Sequence, residues 1–256
     1  MSGASALLDM GEELLWLHML VFLRAGPLMS MFPGFGENSV PVRIKLVLAL
    51  ALTVIVAPAV QPFAGRAPAF SGFAVLVLVE SGIGLAMGLG LRLFLLALQT
   101  AGSIAAQATS LSQILGSAGA TPLPAMGHIL VVAALALAML LGLHIRVAEM
   151  FILSYNLFPV GEMPGAAALS EWGVIQVARS FALAFQLAAP FLIVSVIYNL
   201  TLGIINRAMP QLMVVFVGAP AITAAGLIGL MLLSPLMLEV WMQALEAFVS
   251  NPFGGR

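Results

Sequence analysis

Long apolar stretches alternate with short clusters of glycine, proline and charge along this chain, and the stretches carry no strand-like alternation. Leu14 to Met31 is the first, interrupted by Arg24 and Pro27. A Gly/Pro loop follows over 32–45, with Glu37, Arg43 and Lys45. Leu46 to Gly65 contains twenty residues without a charge, about 30 Å of helix and enough to cross a bilayer core. Pro58 and Pro62 are expected to bend or end it. The third stretch, Ala69 to Leu98, holds Glu80; the fourth, His128 to Phe158, ends at Pro159 and Gly161. Trp172 to Tyr198 and Leu212 to Val249 are the fifth and sixth, and Trp241 and Glu246 near the end of the sixth fit an interfacial anchor. Residues 1–9 read as a frayed end and 160–171 as a Gly/Pro loop. The prediction is an all-α, membrane-type bundle of about six long, kinked apolar helices in tilted hairpins, a single integral membrane domain over 1–256.

Composition sharpens this picture. Of 256 residues, 62% are hydrophobic and 7% charged, against roughly 25% charged in a soluble domain; the mean hydropathy is +1.15. A net charge of −1 offers no basic footprint, so nucleic acid is not an expected partner. Cysteine is absent, which removes disulfides and thiolate metal sites. His18, His128 and His144 lack metal-ligand spacing, and no nucleophile elbow or phosphate loop appears. No enzyme, cofactor or metal centre is expected. With Asp9, Glu12 and Glu13 and no basic residue before Arg24, the first helix reads as retained rather than cleaved.

Certain positions stand out against the apolar background. Gly84 and Gly88, like Gly82, Ala86 and Gly90, recur every four residues, the spacing that lets helices pack closely in an apolar medium. Glu80 sits deep in an apolar stretch, where a charge needs a partner; a basic group on a neighbouring helix or subunit is expected. Arg92 cannot be that partner on one straight helix, since twelve residues separate the two by about 18 Å. Arg146 and Glu149, three apart, can pair locally. Gln99 to Gly127 is uncharged but rich in Ala, Ser, Thr and Gly, which suits a re-entrant segment buried in protein or lining a cavity. Asn199, Gly203, Asn206, Arg207 and Gln211, followed by no charge until Glu239, read as the polar tip of a helical hairpin packed on another protein. The fifteen methionines read as adaptable core filler.

The tip Asn199-Leu200-Thr201-Leu202-Gly203-Ile204-Ile205-Asn206-Arg207-Ala208-Met209-Pro210-Gln211 resembles the signature of the FliR family, a subunit of the flagellar type III protein export gate. Phe32-Pro33-Gly34-Phe35-Gly36 with Val40-Pro41-Val42-Arg43-Ile44-Lys45 resembles the family's first loop. Glu80, Gly84, Gly88 and Arg92 resemble its third segment, and Gly142, His144, Ser154, Tyr155, Pro159 and Gly161 its fourth. The likeness runs from about Arg24 to Leu238.

It implies a non-enzymatic gate subunit in the bacterial inner membrane, at the flagellar basal body and raised toward the periplasm. FliP-like and FliQ-like subunits and a FlhB-like protein would be its partners, unfolded export substrates its cargo and lipid its surroundings. The last two helices are similar to the two-helix FliQ subunit. The resemblance also places a pore plug in the Gln99–Gly127 region, for which Leu111, Ile114 and Leu115 could fill the lumen and Gly116 and Gly119 serve as hinges. Gln107-Ala108 and Ala120-Thr121-Pro122 depart from the family's usual Met-Gly and Asp-Pro there, and Gln211-Leu212-Met213 lacks the asparagine common after Pro-Gln. A virulence injectisome subunit shares the same physics. A small-molecule transporter is the other class left open, though the paired repeats typical of transporters are not seen.

Overall fold

The computed structural model describes residues 3–37, 39–60, 70–109, 125–162, 164–209 and 214–254. Among them the regular structure is helical throughout: α1 (Gly3–Met31), α2 (Val42–Val60), α3 (Phe70–Thr109), α4 (Ala125–Leu140), α5 (Leu143–Leu157), α6 (Ala166–Ala208) and α7 (Val214–Ser250). The predicted helical membrane bundle is what forms. Among the described residues five spans are long and apolar enough to cross a membrane, in α1, α2, α3, α6 and α7, and the broken pair α4–α5 is a candidate sixth.

Boundaries differ from the sequence reading in three instructive places. The fourth stretch is two helices, because Gly142 takes a left-handed conformation (φ 79) that a β-carbon would oppose. Its N–H closes α4 on the Met139 carbonyl, and its own carbonyl accepts from Ile145 and Arg146 to open α5. α3 runs on to Thr109, so the first eleven residues of the uncharged Gln99–Gly127 segment are helix and not re-entrant loop. α6 begins at Ala166 and runs through Arg207, absorbing part of the predicted 160–171 loop and most of the polar tip. Small and amide side chains in these segments weaken apolarity without breaking a helix, so hydropathy alone ended the helices early.

The chain divides into two compact units. The first comprises 1–93, 139–176 and 245–256. Here α1 packs on α2, and α2 on α5. Leu20, Val21 and Leu28 of α1, Ile83, Met87 and Leu91 of α3, and Val147, Met150 and Phe151 of α5 are buried. α1 and α3 run parallel: a β-carbon on Gly84 would strike the backbone of Arg24, and one on Gly88 would lie 2.8 Å from Met31 Cβ. The Gly84/Gly88 row thus faces α1, while Gly90 accommodates the ring of Phe248 and Gly82 meets open space. Pro27 cannot donate to the Leu23 carbonyl; the Ser81 hydroxyl donates to it instead at 3.4 Å. The C-terminal end folds back onto this unit, where Trp172 Nε1 donates to the Pro252 carbonyl (2.7 Å) and Phe253 packs edge-on against Phe158 (4.6 Å).

The second unit comprises 94–138 and 177–244. Its glycines again mark close crossings. Gly102 of α3 abuts the backbone of Gly127 on α4, and Gly226 of α7 faces Thr109 at the end of α3, where a β-carbon would come within 2.5 Å of Thr109 Cγ2. Further along α7, Gly218 meets the Tyr198 hydroxyl and Gly229 the Phe191 ring. Trp241, read from sequence as an interfacial anchor, is instead buried, and its Nε1 donates to the Phe94 carbonyl of α3 at 2.9 Å. The indole is large enough that burying it outweighs interfacial placement once its one donor finds a partner.

Candidate functional site

Three separate helices deliver polar groups to one point inside the first unit. Arg24 on α1 and Glu80 on α3 lie within apolar stretches, and both side chains are fully buried. Arg24 Nε donates to Glu80 Oε2 at 2.7 Å. Its Nη1 donates to Ser154 Oγ at 2.9 Å and its Nη2 to the Phe158 carbonyl at 3.0 Å, both at the end of α5. The second carboxylate oxygen of Glu80 accepts from the backbone N–H of Gly161 at 3.0 Å. That N–H points inward because Gly161 sits at φ 75 in the turn that follows α5. The Ser154 hydroxyl donates in turn to the Phe151 carbonyl at 2.6 Å.

Electrostatically the site is a desolvated ion pair with hydrogen bonds on both sides. A cation beside the last carbonyls of α5 is also favoured by the helix dipole. The guanidinium lies 3.7 Å from the centroid of the Tyr155 ring, a cation–π contact of about 2 kcal/mol when desolvated. Such a pair roughly balances its desolvation when whole, whereas loss of one member strands a buried charge. The Tyr155 hydroxyl itself, though buried, has no hydrogen-bond partner among the described residues. Tyr155→Phe is therefore expected to leave stability within about 0.5 kcal/mol, since the hydroxyl forms no bond to lose. Tyr155→Ala should destabilise by about 3–5 kcal/mol through the vacated ring volume. Thermal denaturation of the detergent-extracted protein separates the two.

The remaining candidates do not join this cluster. Arg92 is half-buried, with Nη1 4.0 Å from Met31 Sδ. Arg146 and Glu149 are both exposed and no ion pair joins them, so the local pair that their spacing allows does not form and neither is a buried charge. Asn199, Asn206 and Arg207 are exposed on the last turns of α6. The Asn199 amide nitrogen donates back to the Ser195 carbonyl at 2.8 Å, and nothing lies within 4 Å of where a Gly203 β-carbon would be. Gln211 and the plug candidates Leu111, Ile114, Leu115, Gly116 and Gly119 lie outside the described residues. Among the described residues no group of acidic, histidine or cysteine side chains could hold a metal.

Residues 15–248 match the family described as bacterial export proteins, family 1. The flagellar biosynthetic protein FliR of Caulobacter vibrioides is 35% identical over 225 residues, covering 87% of this chain and 90% of the relative. FliR of Escherichia coli is 30% identical over 235 residues, 88% of each chain, and FliR of Aquifex aeolicus 30% over 231 residues, again 88% of each. The chain belongs to the FliR family. The residues that carry the FliR likeness have a physical grouping: Glu80, Ser154 and Tyr155 surround the Arg24 side chain, Gly161 bonds to Glu80, and Gly84 packs on the Arg24 backbone. Arg24 was not singled out from sequence as the partner of Glu80. The signal was partial: Arg24 and Glu80 are opposite charges inside apolar stretches and each needs a counter-charge, but Arg92 shares the stretch of Glu80.

Proposed function

We propose that this chain is a structural and gating subunit of the flagellar type III protein export gate, completed by FliP-like and FliQ-like subunits and a FlhB-like protein into a channel for unfolded export substrates. Its FliR relatives are named as flagellar biosynthetic proteins, which favours the flagellar gate over a virulence injectisome. The observation that carries the need for partners is the length of apolar surface that α6 leaves exposed. Val174, Val177, Phe181, Phe185, Ile193, Ile197, Leu200 and Ile204 are all exposed there. That stripe covers thirty steps of helix, from 174 to 204, or about 45 Å, against a hydrocarbon core of about 30 Å. Fitting it into lipid alone as a straight helix demands a tilt near 50°, beyond the range of about 0–40° seen for membrane helices. Part of the stripe is therefore to be covered by protein, and lipid takes the rest.

In this reading the chain is an integral inner-membrane component of the flagellar basal body, raised toward the periplasm, and it acts without catalysis. The exposed Asn199, Asn206 and Arg207 form a cytoplasmic contact with gate partners, and the open space at Gly203 leaves room for a partner's backbone. Leu111, Ile114 and Leu115 plug the lumen, with Gly116 and Gly119 as hinges. Support for the plug comes from its flanks, because the Gly102–Gly127 and Thr109–Gly226 contacts hold the helices at both ends of that segment in register.

Affinity capture of the tagged chain from native membranes should bring down the FliP-like and FliQ-like subunits together. Isolation as a monomer that moves a small solute in liposomes would overturn the reading in favour of a transporter. In the same cells, glycine at Leu111, Ile114 and Leu115 together should make the assembled gate leak ions. An unchanged membrane potential with the complex intact would remove the plug assignment while leaving the gate reading standing.

A further inference from the structure

The glycine row on α3 creates an ambiguity that the buried ion pair resolves. Gly84 and Gly88 are notches one helical turn apart, and α1 sits in both, with the Arg24 backbone at Gly84 and Leu28 and Met31 at Gly88. A slide of one turn, about 5.4 Å, moves the Arg24 backbone from one glycine to the next. Small-residue packing in an apolar medium has no directional term to forbid this. Apolar side chains around the seam, among them Leu20, Leu28, Ile83, Met87 and Leu91, pack nearly as well after such a slide. The polar contacts do not survive it. The Arg24–Glu80 pair at 2.7 Å and the Ser81 hydroxyl on the Leu23 carbonyl at 3.4 Å both pin α1 to α3 in one position. A slid Arg24 would be a buried charge without its carboxylate, which is a strong penalty.

We infer that Arg24 and Glu80 act as a register pin: they select one docking position of α1 on α3 rather than adding net stability to it. Burial of both side chains and the bonds of Arg24 to Ser154 and Phe158 extend the same choice to the end of α5. The inference concerns the internal fold of the first unit and does not depend on which assembly the chain joins.

The chain has no cysteine, so introduced pairs report cleanly. A β-carbon on Gly88 lies 2.8 Å from Met31 Cβ, and a relaxation of about 1 Å brings Met31→Cys with Gly88→Cys to the usual disulfide separation. Leu28→Cys with Arg92→Cys reports α1 displaced by one turn, since the Leu28 backbone lies at Gly88, four residues before Arg92. Both pairs are to be oxidised in native membranes with the whole assembly present, and the intramolecular links identified by peptide mass. With Arg24 and Glu80 in place, the first pair should link and the second should stay at background.

In Arg24→Met with Glu80→Leu, the chain should accumulate to within about twofold of its usual level, as replacing a buried pair by apolar side chains allows, and the second pair should rise at least about fivefold. Linking confined to the first pair in that variant would overturn the inference. Failure of the variant to accumulate would overturn it too, by showing that the pair holds the fold itself. Arg24→Lys supplies the second arm. It keeps the charge opposite Glu80 but loses the fork that reaches α5, and it should retain the unslipped pattern. Slippage in Arg24→Lys would assign the register to the α5 bonds and not to the ion pair.

Discussion

Glu80→Ala should remove most of the chain from the membrane and abolish motility. The substitution deletes the acceptor of two donors at once, the buried Arg24 Nε and the Gly161 N–H. Arg24 stays fully buried, with its α5 contacts intact and its charge uncompensated. Breaking a buried pair in this way destabilises by about 3–5 kcal/mol, a large fraction of the roughly 5–15 kcal/mol that holds a typical domain folded. Even 1–2 kcal/mol can change abundance in cells several-fold, through proteolysis of the unfolded fraction. Immunoblots of the tagged chain in isolated membranes should therefore show a drop of about tenfold or more, and soft-agar spreading should fail. Glu80→Gln keeps one oxygen for Gly161 or for Arg24 but not the charge, and should fall between Glu80→Ala and the natural chain. Exchanging both partners for apolar side chains should recover the protein level, since no stranded charge remains. A Glu80→Ala chain that accumulates normally would show that water reaches Arg24 and that the site is not desolvated.

The hydrophobic pattern made the helical membrane class legible, because runs of about twenty uncharged residues have few other solutions. Ends of helices were less legible. Gln99 to Thr109 carries amides and hydroxyls that look like loop, yet it continues α3, and Asn199 to Ala208, read as the polar tip of a hairpin, is the last part of α6. In the first, Ser103 bonds back to the Gln99 carbonyl (2.8 Å) and Thr109 to that of Ala105 (3.1 Å). In the second, Asn199 and Thr201 do the same toward Ser195 and Ile197. Side chains that satisfy themselves on the preceding turn do not interrupt the helix, and hydropathy cannot see that bond. Glu80 was legible as a charge in need of a partner, but the choice among Arg24, a neighbouring subunit and water required the packing of α1 on α3. Which glycines face a helix was equally hidden. Spacing groups Gly82 with Gly90 as readily as Gly84 with Gly88, and only the structure shows Gly82 facing open space while Gly84 touches the Arg24 backbone.

Gly102→Val should separate α3 from α4 and disable export even though the residue is uncharged and far in sequence from the ion pair. A β-carbon at Gly102 would fall on the backbone of Gly127, reaching its Cα and nitrogen, and backbone cannot rotate away as a side chain can. The reverse substitution, Gly127→Ala, meets the Gln99 carbonyl at 3.3 Å and the Gly102 Cα at 3.6 Å, a milder crowding. The expected order is therefore Gly102→Val worst, Gly102→Ala intermediate and Gly127→Ala least. Overpacking of this kind typically destabilises by about 1–3 kcal/mol, with more where backbone itself must move. Stability alone does not exhaust the effect. α3 ends at Thr109, seven residues beyond the crossing, and α4 begins at Ala125, two residues before it. A wedge at Gly102 thus shifts both anchors of the segment proposed as the plug. In cells where Gly102→Ala still co-purifies with its partners, resting ion leak should rise before export is lost. If leak stays at the natural level while the complex assembles, the crossing only holds the helices together and does not position the segment between them.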